Sequence, residues 1–268
     1  MNYIHRKGMT EQMQQKYFKS ILGSFFYVPL LFAGTMGANH NITSLRPIVS
    51  MLGGYAGINS QVSSTFYDSD NFFKYRTSSH AGDAGVGGVF LGVEYIRTPN
   101  LLIQLGADYT YFSSIKARGF NTVGVEPGTS TFYRIHYQFQ GQQLLAATKI
   151  LTTVRETLHP YVFAGIGASF NDMYHYRATT SETCCINLTP MFKNDSHSKF
   201  SYAAGIGIDY DLNQHARLGL GYRFSDFGHA SLGHGATSVN HIKIPFPFKL
   251  GAHHNYANQA IVQLSYLF

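Results

Sequence analysis

A chain of 268 residues with 27 Gly, 19 Tyr and 21 Phe, but only 13% Asp, Glu, Lys and Arg, is long enough for one large all-β domain or two small ones. Its charged fraction is about half the ~25% of an ordinary soluble domain. Its mean hydropathy is nonetheless close to zero, which argues against a helical membrane protein and suits strands that are apolar only on alternate residues. The formal charge is +6, but residues 39–268 hold just 16 basic and 13 acidic residues. No stretch carries the dense Lys/Arg clustering of a nucleic-acid footprint.

Residues 1–20 are polar and basic, with Arg6, Lys7, Lys16 and Lys19, and residues 21–38 are a mostly apolar run that closes on small residues. A basic lead, an apolar stretch and small residues before a cut describe a secretory signal. Residues 1–38 are therefore expected to be a cleaved signal peptide, and 39–268 the mature domain, with Met9 or Met13 as alternative starts. The run is also just long enough to be one membrane-spanning helix, the competing expectation.

From Leu45 onward the chain offers eight strand candidates. The first, 45–58, alternates ambiguously. The second, 86–96, sets Val89, Leu91, Val93 and Tyr95 against Gly88, Gly92 and Glu94. The third, 101–112, opposes Leu105, Ala107, Tyr109 and Tyr111 to Gln104, Gly106, Asp108 and Thr110. The fourth, 131–150, opposes Tyr133, Ile135, Tyr137 and Phe139 to Arg134, His136, Gln138 and Gln140. The fifth, 159–171, sets Val162, Ile166 and Phe170 against Tyr161, Gly165 and Gly167. The sixth, 199–211, is the clearest, with Phe200, Tyr202, Ile206, Ile208 and Tyr210 opposite Gly205, Gly207 and Asp209. The seventh, 216–224, opposes Leu218, Leu220, Tyr222 and Phe224 to Arg217, Gly219, Gly221 and Arg223.

The eighth, 255–268, sets Tyr256, Ala260, Val262, Leu264, Tyr266 and Phe268 against Gln259, Gln263 and Ser265. An apolar band with aromatics at both ends is what a lipid-facing staff requires, because Tyr and Phe sit well at the membrane interface. Apart from the 20-residue fourth candidate, lengths of 9–14 residues match the ~9–11 needed to cross a bilayer at a tilt rather than the soluble mode of about 5–6. The polar faces hold Glu94, Asp108, Asp209, Arg217 and Arg223 among glycines, charges that can pair inside a narrow barrel. Connections alternate between short ones, near 97–100, 151–158 and 212–215, and long polar ones, near 59–85, 113–130, 172–198 and 225–254. Short turns at one end and long loops at the other are the outer-membrane barrel layout.

Residues 159–170 (HPYVFAGIGASF), 200–228 (FSYAAGIGIDYDLNQHARLGLGYRFSDFG) and 259–268 (QAIVQLSYLF) resemble the eight-stranded outer-membrane family that includes the OmpA-type transmembrane domain and opacity-type surface proteins. There, a PYxxxGxG strand, a GxGxDYxL strand and an LxLxYR strand precede a last strand ending in Phe. The resemblance covers 45–268. It implies an all-β, eight-stranded, antiparallel up-and-down transmembrane barrel in the outer membrane of a Gram-negative bacterium. It further implies a monomeric, non-enzymatic surface protein, structural, adhesive or antigenic, that acts through its loops. Outer-membrane lipid and lipopolysaccharide are the expected surroundings, a host or cell-surface ligand is a candidate loop partner, and Phe268 with Tyr266 and Leu264 matches the signal read by the barrel assembly machinery.

Two other classes compete with that expectation. A lipid A deacylase of the same fold pairs a His and a Ser two residues apart with a carboxylate, and His229, Ser231 and Asp226 offer a partial match, although no Asn follows the Ser. A small ion-conducting porin is the second, although the lumenal charges would plug a narrow bore. His229, His234, His241, His253 and His254 crowd the last loop without a diagnostic metal spacing, and Cys184 beside Cys185 fits neither a disulfide framework nor a zinc site. No catalytic, cofactor-binding or metal residue is therefore assigned. The aromatics Phe66, Tyr67, Phe72, Phe73 and Tyr75 in the first long connection and the apolar 244–248 (IPFPF) in the last are expected either to touch an external ligand or to pack over the barrel mouth.

Overall fold

The computed structural model describes residues 44–68, 71–78, 80–98, 100–124, 131–180, 189–239, 242–252 and 254–268. In chain order the strands are β1 (Ser44–Ser60), β2 (Ser63–Asp68), β3 (Asn71–Thr77), β4 (His80–Thr98), β5 (Leu101–Phe112) and β6 (Ile115–Gly124). They continue with β7 (Thr131–Thr152), β8 (Leu158–Thr179), β9 (Met191–Phe192), β10 (Asp195–Asp211) and β11 (Ala216–Asp226). The last are β12 (Ala230–Ser231), β13 (Gly235–Val239), β14 (Ile242–Phe246), β15 (Gly251–Ala252) and β16 (Asn255–Leu267).

Eight of these close a ring. β1, β4, β5, β7, β8, β10, β11 and β16 pair antiparallel in that order, and β16 returns to β1 with Val49 opposite Tyr266 and Gly57 opposite Asn258. Closure leaves no free edge, which is what lets strands cross lipid with every backbone group paired. The three short connections, after β4, β7 and β10, lie at one end with the start of β1 and the end of β16. At the turn after β10, Asn213 Oδ1 accepts from the backbone N–H groups of His215 and Ala216, each at 2.8 Å.

The apolar faces point outward. Val89, Leu91, Leu105, Val162, Ile166, Ile206, Ile208, Leu220, Val262 and Leu264 are all exposed on the ring's outer surface. Tyr210, Tyr266 and Phe268 flank them near the short turns, and Tyr55, Tyr109, Tyr111 and Phe170 flank them on the other side. Glu94, Asp108, Asp209, Arg217 and Arg223 point inward and are buried. Alternation by itself is symmetric about the sheet; the closed ring resolves which side is in.

The long connections are more ordered than loops. β6 pairs with the first half of β7 (Ile115 opposite Phe139, Val123 opposite Thr131). β3 adds to β6 and β2 to β3, so the wall rises past the lipid band, while the second half of β7 pairs with β5 (Gln142 opposite Tyr111). This corrects the reading of 59–85 and 113–130 as plain connections. On the raised part of β7 the alternation means the opposite of what it means below: Tyr133, Ile135, Tyr137 and Phe139 are at most 1% exposed and face inward.

They face an apolar core that fills the raised part, a cap over the barrel. Phe246 and Phe248 of the IPFPF segment turn into it: Phe66 stacks on Phe248 at 4.9 Å, and Phe246 meets Phe73 edge-on at 5.0 Å and Phe192 at 6.0 Å. Tyr75 and Tyr176 close on Phe192 at 5.7 and 5.1 Å. Each such ring contributes roughly 1.5–3 kcal/mol by burial, so mouth packing accounts for Phe246 and Phe248, leaving Ile244 of that segment outside, together with Ile242 just before it. Burial pushes the Tyr75 hydroxyl well above its ordinary range, among Thr189, Tyr176 and Asn121.

Candidate functional site

Inside the ring the polar faces meet. Nearest the short turns, Arg217 Nη1 donates to Glu94 Oε2 at 2.6 Å and Arg217 Nε to Asp211 Oδ1 at 2.6 Å. Gln104 Nε2 also donates to Glu94, at 2.8 Å, and His159 Nε2 lies 2.8 Å from Asp211 Oδ2. One level up, Lys149 Nζ donates to both oxygens of Asp209 at 2.9 and 2.7 Å and to Gln263 at 3.3 Å, with the Tyr161 ring 3.8 Å away. Arg223 donates twice to Asp108, at 2.9 and 3.2 Å, and lies 4.0 Å over the Phe163 ring.

Position around the ring gives these pairs their meaning. β5 and β11 stand four places apart in a ring of eight, so the Asp108–Arg223 pair spans the lumen from wall to wall. Gly207 and Gly221 lie opposite each other on β10 and β11, and the Tyr161 hydroxyl end occupies the space their side chains would take. The glycines make room for a ring that fills the bore, as expected of a barrel whose interior is just wide enough for side chains. Above the ions, Gln143 donates to Ser201 at 2.6 Å and accepts from Ser225 at 3.2 Å, and the cap core begins where Phe227 meets Phe112 edge-on at 4.7 Å.

The five charged residues anticipated from the strand faces thus do pair inside. Lys149 was missed: it sits in the run ATKILT, where one cation among apolar residues reads as a strand end. Its signal was parity, because Lys149 shares the inward face with Gln143, Leu145, Ala147 and Leu151.

At the mouth the hydroxyl, imidazole and carboxylate groups take other partners than those expected. Ser231 Oγ lies 2.8 Å from His197 Nε2, and Asp195 Oδ2 is 3.3 Å from that same nitrogen. A relay needs the base to face the nucleophile with one nitrogen and its orienting carboxylate with the other, whereas here both compete for Nε2. Asp195 also pairs with Lys249 at 3.2 Å, and Ser231 is buried at 3% exposure. Asp226 accepts from the Gly228 N–H at 2.7 Å and lies 3.2 Å from His254 Nδ1, while the His229 ring is 6.3 Å from that of His197. Among the described residues no three His, Cys, Asp or Glu side chains converge as metal ligands. Cys184, Cys185, His241 and His253 lie outside the described residues.

The family model described as outer membrane protein beta-barrel domain matches residues 28–266. A search of curated protein sequences finds no match. Among solved structures, the chain is similar to the outer membrane protease OmpT from Escherichia coli, with 10% identity over 87% of this chain and 99% of that one and a TM-score of 0.47. It is also similar to the outer membrane protein OprG from Pseudomonas aeruginosa (11%, 82% and 95%, TM-score 0.40) and to Neisserial surface protein A (12%, 85% and 100%, TM-score 0.37).

Proposed function

The chain belongs to the outer membrane protein beta-barrel domain family and resides in the bacterial outer membrane, and on that basis we propose that it is a non-enzymatic surface protein: a closed, rigid barrel that holds an ordered cap outside the cell, with structural or adhesive work done by the cap. The observation that carries this reading is the filled bore, crossed by Asp108–Arg223 at 2.9 Å and roofed by the apolar cap core. A lumen closed by side chains and covered by packed aromatics supports presentation of a surface rather than passage of a solute. The mouth adds support, since Ser231 is buried and its neighbouring imidazole lacks the two-sided hydrogen bonding of a general base.

The working state is a monomer surrounded by outer-membrane lipid and lipopolysaccharide, inserted by the assembly machinery that reads Phe268, with a host or cell-surface ligand as the cap's partner. In planar bilayers the purified protein is expected to give no reproducible conductance steps, and incubation with lipopolysaccharide is expected to leave the mass of lipid A unchanged. Reproducible channel openings, or a lipid A mass change that disappears in Ser231→Ala, would overturn the proposal.

A further inference from the structure

The raised part of the wall carries a strongly charged outer face. Arg76 (β3), Lys116 and Arg118 (β6), Arg134 and His136 (β7) and Arg177 (β8) line an open groove of about 1140 Å³ with no Asp or Glu in its lining. Arg118, His136 and Arg177 are directly opposite one another across three strands. In the next row Phe120, 58% exposed, stands between Arg76 and Arg134. Among the described residues, none of the five Lys and Arg side chains is engaged in an ion pair. Unpaired like charges this close repel one another, a cost that a bound anion removes.

A backbone irregularity puts the last of these cations in place. Between the pairs His136–Arg177 and Gln138–Tyr174, two steps on β7 face three on β8. The extra residue is a bulge at His175, which adopts φ 55° and is held by its N–H donating to Asn194 Oδ1 at 3.1 Å. A bulge shifts side-chain parity by one. Below it Phe170 is exposed and Met173 buried; above it Tyr176 is buried and Arg177 exposed. Without the bulge Arg177 would enter the aromatic core and Tyr176 would leave it.

The groove also has a defined height and direction. On β7 the outward residues run upward from Ile150 and Leu144 in the apolar band to Gln142 and Gln140, then His136 and Arg134. Gln142 accepts from Tyr109 at 2.8 Å, and Gln140 donates to Tyr111 at 3.1 Å, a Tyr–Gln belt suited to the membrane–water interface. His136 is four residues beyond Gln140, the upper row of that belt, about 14 Å along the strand at ~3.4 Å per residue, or roughly 10 Å above the belt at a tilt of about 40°. Because the basic residues share the lipid-facing parity, they look sideways over the leaflet and not up from the mouth.

We propose that this groove binds the phosphorylated saccharide headgroup of a neighbouring lipopolysaccharide molecule, with Arg118, Arg134 and Arg177 on phosphate and Phe120 against a sugar ring. Guanidinium forks match phosphate bidentately, and an exposed aromatic among them suits a sugar better than a bare ion. The inference deepens the surface-protein reading by naming one partner; it rests on the outer-membrane setting and is independent of whether the bore conducts.

The test titrates protein refolded in lipopolysaccharide-free detergent with purified lipopolysaccharide and with the same material stripped of phosphate. Wild type is expected to prefer the phosphorylated form by about tenfold or more, with the preference shrinking as salt rises. Arg118→Gln/Arg134→Gln/Arg177→Gln is expected to lose that preference, and Lys at the same three positions to retain most of it. Arg97→Gln/Arg155→Gln, at the opposite end of the barrel, serves as the unchanged control. Folding of each variant is checked by the heat-dependent gel shift, and the single changes Arg134→Gln and Arg177→Gln stand in if the triple variant fails it. Equal binding by the Gln variants, equal binding of phosphate-free lipid, or stronger competition by a soluble sulfated polysaccharide than by lipopolysaccharide would overturn the assignment.

Discussion

The band that crosses the membrane and the cap above it are built from the same strands on opposite plans. Along β7 the odd-numbered residues face inward throughout. In the cap they are Tyr133, Ile135, Tyr137 and Phe139; in the membrane they include Gln143 and Lys149. The even-numbered residues invert in the other direction, from Arg134, His136, Gln138 and Gln140 above to Leu144 and Ile150 below. β7 keeps a single parity through this changeover, while its partners each take up an extra residue near it: four steps from Tyr111 to Ile115 against three from Gln142 to Phe139, and the bulge at His175 on β8. What changes is the surrounding solvent. Lipid takes the apolar side below, so polar groups must pair in the bore; water takes the polar side above, so apolar groups must find one another.

The two plans fail differently, and that difference can be forced. Arg217→Ala leaves Glu94, 1% exposed, without its cation and is expected to cost about 3–5 kcal/mol, read as a lower urea midpoint with loss of the heat-dependent gel shift. Phe246→Ala removes a ring shared by the stacks with Phe66, Phe73, Phe192 and Phe248. It is expected to cost about 3–5 kcal/mol within the cap, giving faster proteolysis there while the gel shift survives. If cap and barrel instead melt together in that variant, the two regions are one cooperative unit.

A charge placed on the outer face separates the two solvents more finely. Leu220→Arg, in the middle of the apolar band, is expected to destabilise by about 2–4 kcal/mol. Phe132→Arg, equally exposed on the cap's outer face, should stay within about 0.5 kcal/mol. Comparable losses at both sites would mean that the band extends higher than the Tyr–Gln belt. The smallest effect is expected from exchanging Asp108 and Arg223 together for Leu and Met. A buried pair replaced whole by apolar side chains is often neutral, within about 1 kcal/mol, even though losing one partner is costly.

Much of the lower plan was legible in the sequence. β5 was bounded at both ends and β16 to within a residue, because strict alternation, aromatic ends and short turns coincide there. The cap was harder to read. Its strand β6 mixes Gly, Lys, Arg and Asn (Ile115–Gly124), and the upper end of β8 breaks alternation at His175, where the bulge moves the pattern by one residue. The basic groove never appears as a run. Its trace is a spacing of two, Lys74 and Arg76, Lys116 and Arg118, Arg134 and His136, His175 and Arg177, which becomes a cluster only when four strands lie side by side. Alternation alone could not tell which face pointed inward, because it is the same for a barrel with an apolar bore and one with an apolar rim; strand length and the aromatic ends carried that expectation.

The two 22-residue strands β7 and β8 run without a break from the turn between them to the top of the cap. They are hydrogen-bonded to each other along most of that length. Their ladder bonds lie perpendicular to the strands, so a pull on the cap directed away from the cell acts along the strand axes and loads many rungs in shear together. A cap joined to the barrel by a loop would instead unzip one contact at a time. The shared strands make the wall a mechanical strut, and whatever the cap holds, it holds against the anchorage of the whole barrel.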